Sequence, residues 1–176
     1  MTRMECIEAM NKYANMVMRI ALNYCKNKYD AEDITQDVFC KLISLTQESS
    51  KNVQNVLEFN DEEHLKRWLI RVTINQCKSM LITPWHKKTQ FLEDVNKQEG
   101  VYEQKEKSNL YECVMKLPRK YRVPIYLHYY EGYLAKEIAE ILDIKEDTVR
   151  AQLMRGRNML KKNLKEDESY EYSAEV

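Results

Sequence analysis

The chain is 176 residues long and carries 28 basic and 28 acidic side chains, with only 3 glycines and 3 prolines. That length holds one medium domain or two small ones, and the scarcity of glycine and proline excludes a hairpin-rich β fold in favour of an all-helical one. No apolar run approaches the ~20 residues that span a bilayer, and the scattered Cys6, Cys25, Cys40, Cys77 and Cys113 form no Cys-x-x-Cys pair, so reduced thiols, no metal site, no membrane insertion and a cytoplasmic location are expected. Arg3, Glu5 and Glu8 interrupt any signal-peptide pattern.

From about Glu5 to Cys25, the residues Ile7, Met10, Tyr13, Ala14, Val17, Met18, Ala21 and Leu22 recur at steps of three and four, which predicts a helix with one buried stripe. A second helix is predicted from Asp30, with Asp30 as cap and Asp33 reaching back in a capping-box-like arrangement. Ala31, Ile34, Val38 and Leu42 form its buried line, leaving Asp33, Gln36, Asp37 and Lys41 outside. Residues 46–61 are polar and read as a loop with a weak helix. A third helix runs from about Asp61 to Leu81, where Asp61, Glu62 and Glu63 suit the N-terminal dipole. Leu65, Trp68, Leu69 and Val72 make its apolar side, with Trp68 read as core, and Pro84 ends it.

Residues 84–107 are charged and mostly aperiodic, and read as a linker. Helix returns near Ser108 with Leu110, Val114 and Leu117 inward, and Pro118 breaks it. The aromatic-rich helix from Arg119 to Tyr130 is closed by Gly132 as a C′ residue. Two short helices follow, Leu134–Leu142 and Glu146–Arg157, joined by Asp143, Ile144 and Lys145, which is the layout of a helix-turn-helix. The second continues through Met159, Leu160 and Leu164. The domains expected are therefore residues 1–83, a linker at 84–107, a helix-turn-helix domain at 108–165, and an acidic tail at 166–176 read as a disordered, solubilising end.

Charge is distributed to match. Residues 117–165 carry a balance of +5, residues 166–176 a balance of −5, and the rest is neutral. The basic excess sits with the helix-turn-helix, which points to DNA. Ile138, Ala139 and Leu142 face its core, Ile144 plugs the turn, and Val149, Leu153 and Leu160 continue the buried side. Lys145, Thr148, Arg150, Gln152 and Arg155 are left for groove or phosphates: arginine grips guanine bidentately, glutamine pairs with adenine, and threonine serves bases or backbone. Arg157, Lys161 and Lys162 suit phosphates.

Two separated segments converge on one family. Leu117-Pro118-Arg119, Tyr130-Glu131-Gly132-Tyr133, Glu137-Ile138-Ala139, Asp147-Thr148-Val149 and Arg155-Gly156-Arg157-Asn158-Met159-Leu160 together resemble region 4 of an extracytoplasmic-function RNA polymerase sigma factor of the sigma-70 family. Asp30-Ala31-Glu32-Asp33-Ile34-Thr35-Gln36-Asp37-Val38-Phe39 resembles that family's region 2.2, and Leu65 to Asn75 resembles the end of its region 2. The resemblance implies a protein that binds core RNA polymerase, sets region 4 on the minus-35 element of promoter DNA, opens the minus-10 element with region 2, and catalyses no chemistry, with no cofactor. It implies Asp33, Gln36 and Asp37 as the polymerase-binding face, where acidic and amide groups suit a basic partner helix. Arg67, Arg71, Asn75 and Lys78 are the implied minus-10 contacts, with Trp85, His86, Lys87 and Lys88 as a further backbone-binding patch. An anti-sigma factor is the implied second partner.

The chain departs from the family's pattern at Leu134 and Lys145, where capping Ser or Thr is usual, and a lost cap costs about 1 kcal/mol. Asp143 stands at the usual turn glycine, and aspartate tolerates positive φ better than most residues. The arginine run after region 2 is thinned to Ile82–Lys88. The rival readings fare worse. A stand-alone helix-turn-helix regulator calls for a receiver or ligand domain in the first half, usually α/β and glycine-richer. An enzyme calls for a motif that the scattered His64, His86 and His128 do not make, and these read as structural or surface residues.

Overall fold

The computed structural model describes residues 3–48, 59–82 and 109–174. Among these the protein is all-α, with seven helices and no strand. The chain divides into two compact units, Met1–Val101 and Tyr102–Val176, a boundary that falls within the stretch read as linker. Residues 84–107 themselves lie outside the described residues, as does the expected Trp85–Lys88 patch.

The first unit contains α1 (Arg3–Cys25), α2 (Lys28–Glu48) and α3 (Glu62–Ile82), each packed against the other two. Only Lys26 and Asn27 separate α1 from α2. Lys26 takes φ 61, the left-handed conformation that ends a helix, and its N–H donates to the Leu22 carbonyl at 2.9 Å. Asn27 then starts α2: its Oδ1 accepts the backbone N–H of Tyr29 at 2.9 Å and of Asp30 at 3.2 Å. The cap is thus Asn27, not Asp30, and Asp30 sits in the first turn. Both residue types cap well; the left-handed Lys26 decides which one does.

The expected line on α2 is buried throughout, with Ala31, Ile34, Val38 and Leu42 at 0 to 1% exposure. On α1 the expected Tyr13, Val17, Met18 and Ala21 are buried, but at the N-terminal end Cys6 and Ala9 face inward in place of Ile7 and Met10, which are 46% and 40% exposed, and Met16 and Ile20 join the core. Cys6 and Ala9 are small, so they give a weaker apolar signal in the sequence than the exposed Ile7 and Met10. On α3 the buried residues are Leu69, Ile70, Val72, Thr73, Ile74 and Cys77. Buried Thr73 satisfies its hydroxyl by donating to the Leu69 carbonyl at 2.7 Å. Trp68 is half-buried rather than core, with its ring edge against Phe59 at 5.6 Å between centroids.

Asp61 caps α3, accepting the His64 N–H on Oδ1 at 2.7 Å. The next residue, Glu62, ties α3 to α1 by accepting hydrogen bonds from the Lys12 ammonium and the Tyr13 hydroxyl. These bonds, from Lys12 first and then Tyr13, hold the Glu62 carboxyl below its ordinary range. Burial first, and then the bond to Glu62, push the Tyr13 phenol up. A carboxylate with a lowered folded pKa stabilises above its unfolded value, and that contribution is lost as pH falls through the folded one. Glu62→Gln is therefore expected to leave the first unit less stable at neutral pH and to flatten its acid limb, measured as urea midpoints from pH 7 down to pH 3.

The second unit contains α4 (Asn109–Lys116), α5 (Arg119–Tyr129), α6 (Ala135–Leu142) and α7 (Glu146–Ala174). Helix α7 packs on the other three, and α5 on α6. On α4 the inward residues are Cys113 and Val114; Leu110, expected inside, is 45% exposed. The acidic segment from residue 166 is not a separate disordered end: α7 runs on as helix to Ala174. Arg122 on α5 is only 2% exposed, and its Nη1 donates to the carbonyls of Leu117 at 2.8 Å and Met115 at 3.1 Å. It thereby serves carbonyls left over at the C-terminus of α4. Gly156 lets α7 lie close on α5, because a Cβ there meets Ile125 Cγ1 at 3.0 Å and Tyr121 Cβ at 3.3 Å. Gly156→Leu is expected to cost about 1–3 kcal/mol through overpacking, read as a lower denaturant midpoint for this unit.

Candidate nucleic-acid interface

The helix-turn-helix is built from its ends inward. Gly132, at φ +80, turns the chain out of α5, and the Tyr133 N–H donates back to the Leu127 carbonyl at 3.1 Å. His128 Nδ1 lies 2.7 Å from the Tyr133 carbonyl, which makes that nitrogen the donor and braces the same corner. The Leu134 side chain has no acceptor for the first turn of α6, although its carbonyl accepts the Ile138 N–H at 2.9 Å. The reciprocal half of a capping box survives, because Glu137 Oε2 accepts the Leu134 N–H at 2.9 Å. At the other end Asp143 adopts φ 56 and ψ 54, the conformation expected where a glycine is usual. The Asp143 and Ile144 N–H groups both turn back to the Ala139 carbonyl.

Ile138, Ala139 and Ile141 are the buried residues of α6, so Ile141 takes the place expected of Leu142, which is half-buried. Ile144 is 37% exposed and covers the turn rather than plugging it. On α7, Val149 and Leu153 are buried and Leu160 is half-buried.

Opposite that buried side, the first three turns of α7 present Asp147, Met154 and Asn158, with Ala151 between them. Exposed Arg150 and Arg157 line one edge of this face, and Thr148 and Arg155 the other. Lys145, also exposed, sits just ahead of the helix. Gln152 departs from expectation: it is half-buried and its Oε1 is enclosed without a hydrogen-bond partner. A bidentate adenine contact from Gln152 would require its amide to turn outward. Arg150 is not a loose cation either. Its Nε and Nη2 donate to Glu146 Oε1 at 3.0 and 2.6 Å.

Two residues join this face that the sequence did not single out. Met154, 53% exposed one turn beyond Arg150, offers an apolar surface of the kind that meets a thymine methyl. Lys120 lies at the Arg155 edge, with its ammonium 5.0 Å from the Tyr121 ring centroid. Burial would raise the Tyr121 phenol, yet hydrogen bonds from Lys120 and then Arg155 outweigh it and lower its pKa. Arg155 and Lys120 thus both act on one phenol, which places two cations on this edge.

In the first unit, Arg67, Arg71, Asn75 and Lys78 fall at steps of three and four along the outer side of α3, away from buried Leu69, Val72 and Thr73. Arg67 Nε pairs with Glu63 Oε1 at 3.1 Å. On α2, Asp33, Gln36 and Asp37 are all exposed on one side, in line with Tyr29, which is 77% exposed, and Cys40.

Comparison with known proteins places both units. Residues 9–83 match the family model for sigma-70 region 2, and residues 107–160 the model for sigma-70 region 4. The chain is 29% identical over 153 residues to the RNA polymerase sigma factor SigV of Bacillus subtilis, covering 85% of each protein. It is 28% identical over 163 residues to the ECF RNA polymerase sigma factor SigE of Mycolicibacterium smegmatis; this is 88% of the chain, which spans 59% of that relative's length. Among solved structures, the fold resembles the sigma factor RpoE of Bartonella quintana, crystallised with the anti-sigma factor NepR (TM-score 0.64, 21% identity, covering 90% of this chain and 95% of that one). It also resembles CnrH in complex with the cytosolic domain of CnrY (TM-score 0.60, 17% identity, covering 94% and 91%).

Proposed function

The chain belongs to the sigma-70 family of RNA polymerase sigma factors, with extracytoplasmic-function members among its relatives, and from that membership we propose how its two units divide the work. As a sigma factor it binds core RNA polymerase and promoter DNA and is not an enzyme. In this reading residues 1–83 do the region 2 work. The exposed Asp33, Gln36 and Asp37 of α2 dock on a basic helix of the polymerase, and Arg67, Arg71, Asn75 and Lys78 of α3 hold the opened minus-10 strand. Residues 84–107 link the units. Residues 108–165 read the minus-35 element, with Arg150, Arg155 and Thr148 at base edges and Lys145 and Arg157 at phosphates.

The observation that carries this division is the placement of an acidic exposed face on one unit and a basic exposed helix face on the other. A neutral chain with those two faces has weak general attraction for DNA by itself. It gains its grip on DNA when polymerase holds the first unit. The anti-sigma factor bound to the Bartonella quintana relative supports a partner of that kind here, competing with core polymerase for these faces. The cytoplasm is the compartment that polymerase and promoter imply. Among the described residues no helix is long and apolar enough to cross a membrane.

The test is a pull-down with core polymerase followed by transcription from a genomic promoter library. Binding to core with initiation at a defined set of promoters is expected. Tight, specific DNA binding without core would favour a stand-alone regulator. Within that assay, Arg150→Ala or Arg155→Ala is expected to lower promoter use about 10- to 100-fold, the worth of one bidentate base contact, with retention on core polymerase unchanged.

A further inference from the structure

Glu146 and Arg150 stand one turn apart at the start of α7, and the chemistry of their contact defines a role for the glutamate. A guanidinium has two hydrogen-bonding edges. One is formed by Nε–H with the near hydrogen of Nη2, the other by Nη1–H with the far hydrogen of Nη2. Glu146 Oε1 takes the first edge, at 3.0 Å from Nε and 2.6 Å from Nη2. The second edge, the one that reaches guanine O6 and N7 end-on, is left open. The Glu146 side chain is 37% exposed and that of Arg150 is 66% exposed, so the carboxylate is the anchored partner and the guanidinium the projecting one. Glu146 is also the first residue of the helix, where the macrodipole favours a carboxylate, and glutamate preceding arginine by four residues is the favourable order.

We propose that Glu146 is a positioning residue for promoter recognition: it holds the Arg150 guanidinium by its side edge, so that the end edge is preset to read one guanine of the minus-35 element. The inference rests on the reading of α7 as the minus-35 reader. Its consequence is a split between affinity and discrimination. A carboxylate facing the duplex repels phosphates and lowers general DNA attraction. By fixing an arginine that otherwise wanders among phosphates and bases, it raises discrimination. Removing the charge should therefore move the two quantities in opposite directions, which loss of a merely structural contact does not do.

The experiment uses holoenzyme reconstituted from core polymerase and the full chain, transcribing a template library randomised across the minus-35 element. The proteins compared are the wild type, Glu146→Gln, Arg150→Ala and the double variant, with circular dichroism melts of each. Wild type is expected to prefer guanine at one position, and Arg150→Ala to lose that preference. Glu146→Gln is expected to weaken it about 5- to 10-fold while retention on promoterless DNA at low salt increases, and the double variant to match Arg150→Ala because the two residues act as a pair. An unchanged guanine preference in Glu146→Gln, beside a lost one in Arg150→Ala, overturns the positioning role and leaves the minus-35 reading standing. If Arg150→Ala relaxes no position, the reading of Arg150 as a base contact fails and the proposal fails with it.

Discussion

Replacing Asp33 and Asp37 together by arginine is expected to abolish retention on core polymerase while leaving the fold of the first unit intact. Both side chains are exposed on α2, outside the buried line of Ala31, Ile34, Val38 and Leu42. Surface substitutions of this kind usually change stability by no more than ~0.5 kcal/mol. The double reversal turns attraction for a basic partner helix into repulsion, and like-charge juxtaposition across an interface costs several kcal/mol, which corresponds to ~100-fold or more in affinity. A pull-down with purified core polymerase measures the loss, and an unchanged urea midpoint confirms that the unit is folded. Normal retention of the folded double variant would mean that polymerase docks elsewhere on this chain. The neutralised pair Asp33→Asn and Asp37→Asn is expected to fall between, because it removes attraction without adding repulsion.

Arg122→Leu is expected to have the largest effect on stability. Arg122 is 2% exposed and donates to two carbonyls at the end of α4, and leucine satisfies neither. Leaving buried carbonyls unpaired costs about 1–3 kcal/mol each, so the variant should lose roughly 2–6 kcal/mol. A unit of this size holds only about 4–10 kcal/mol in all, so this loss takes a large share of the second unit's stability and lowers its melting temperature by many degrees. The two tryptophans, Trp68 and Trp85, both belong to the Met1–Val101 unit. Tryptophan fluorescence should therefore report an unchanged transition for the first unit, while circular dichroism shows the second melting early. Coincident early transitions by both probes would contradict the confinement of the effect to the second unit.

The comparison of sequence with structure separates into kinds of residue. Ala31, Ile34, Val38 and Leu42 were legible because one side of α2 is apolar and the other charged, so the period alone identifies the buried line. The helix-turn-helix was legible for the same reason, and the left-handed Asp143 followed from its place in the turn. Cys6 and Ala9 were not legible, since small residues carry little hydrophobic signal beside Ile7 and Met10, which lie outside. Arg122 reads as a surface cation in any one-dimensional pattern, and only the proximity of the α4 carbonyls makes it internal. Asn27 and Asp30 offered equivalent caps, and a backbone angle at Lys26 chose between them. The enclosed Oε1 of Gln152 belongs to a rotamer, which no spacing encodes, whereas the i,i+4 spacing of Glu146 and Arg150 allows their pairing without saying which edge of the guanidinium it takes. The segment from residue 166 looked disordered by charge, yet its glutamates are good helix formers and continue a helix already nucleated and packed upstream.

That continuation makes α7 a lever. Its 29 residues amount to a rod about 43 Å long, at the usual rise per residue, with the side chains proposed to read bases near one end. A tilt of about 10° at the DNA end sweeps the far end through some 7 Å, a displacement magnified by the rod length. A fluorophore placed near Ala174 would therefore register the seating of the recognition turn in the groove from a position outside the duplex. By the same geometry, a load on that distal end would act on promoter contact as torque.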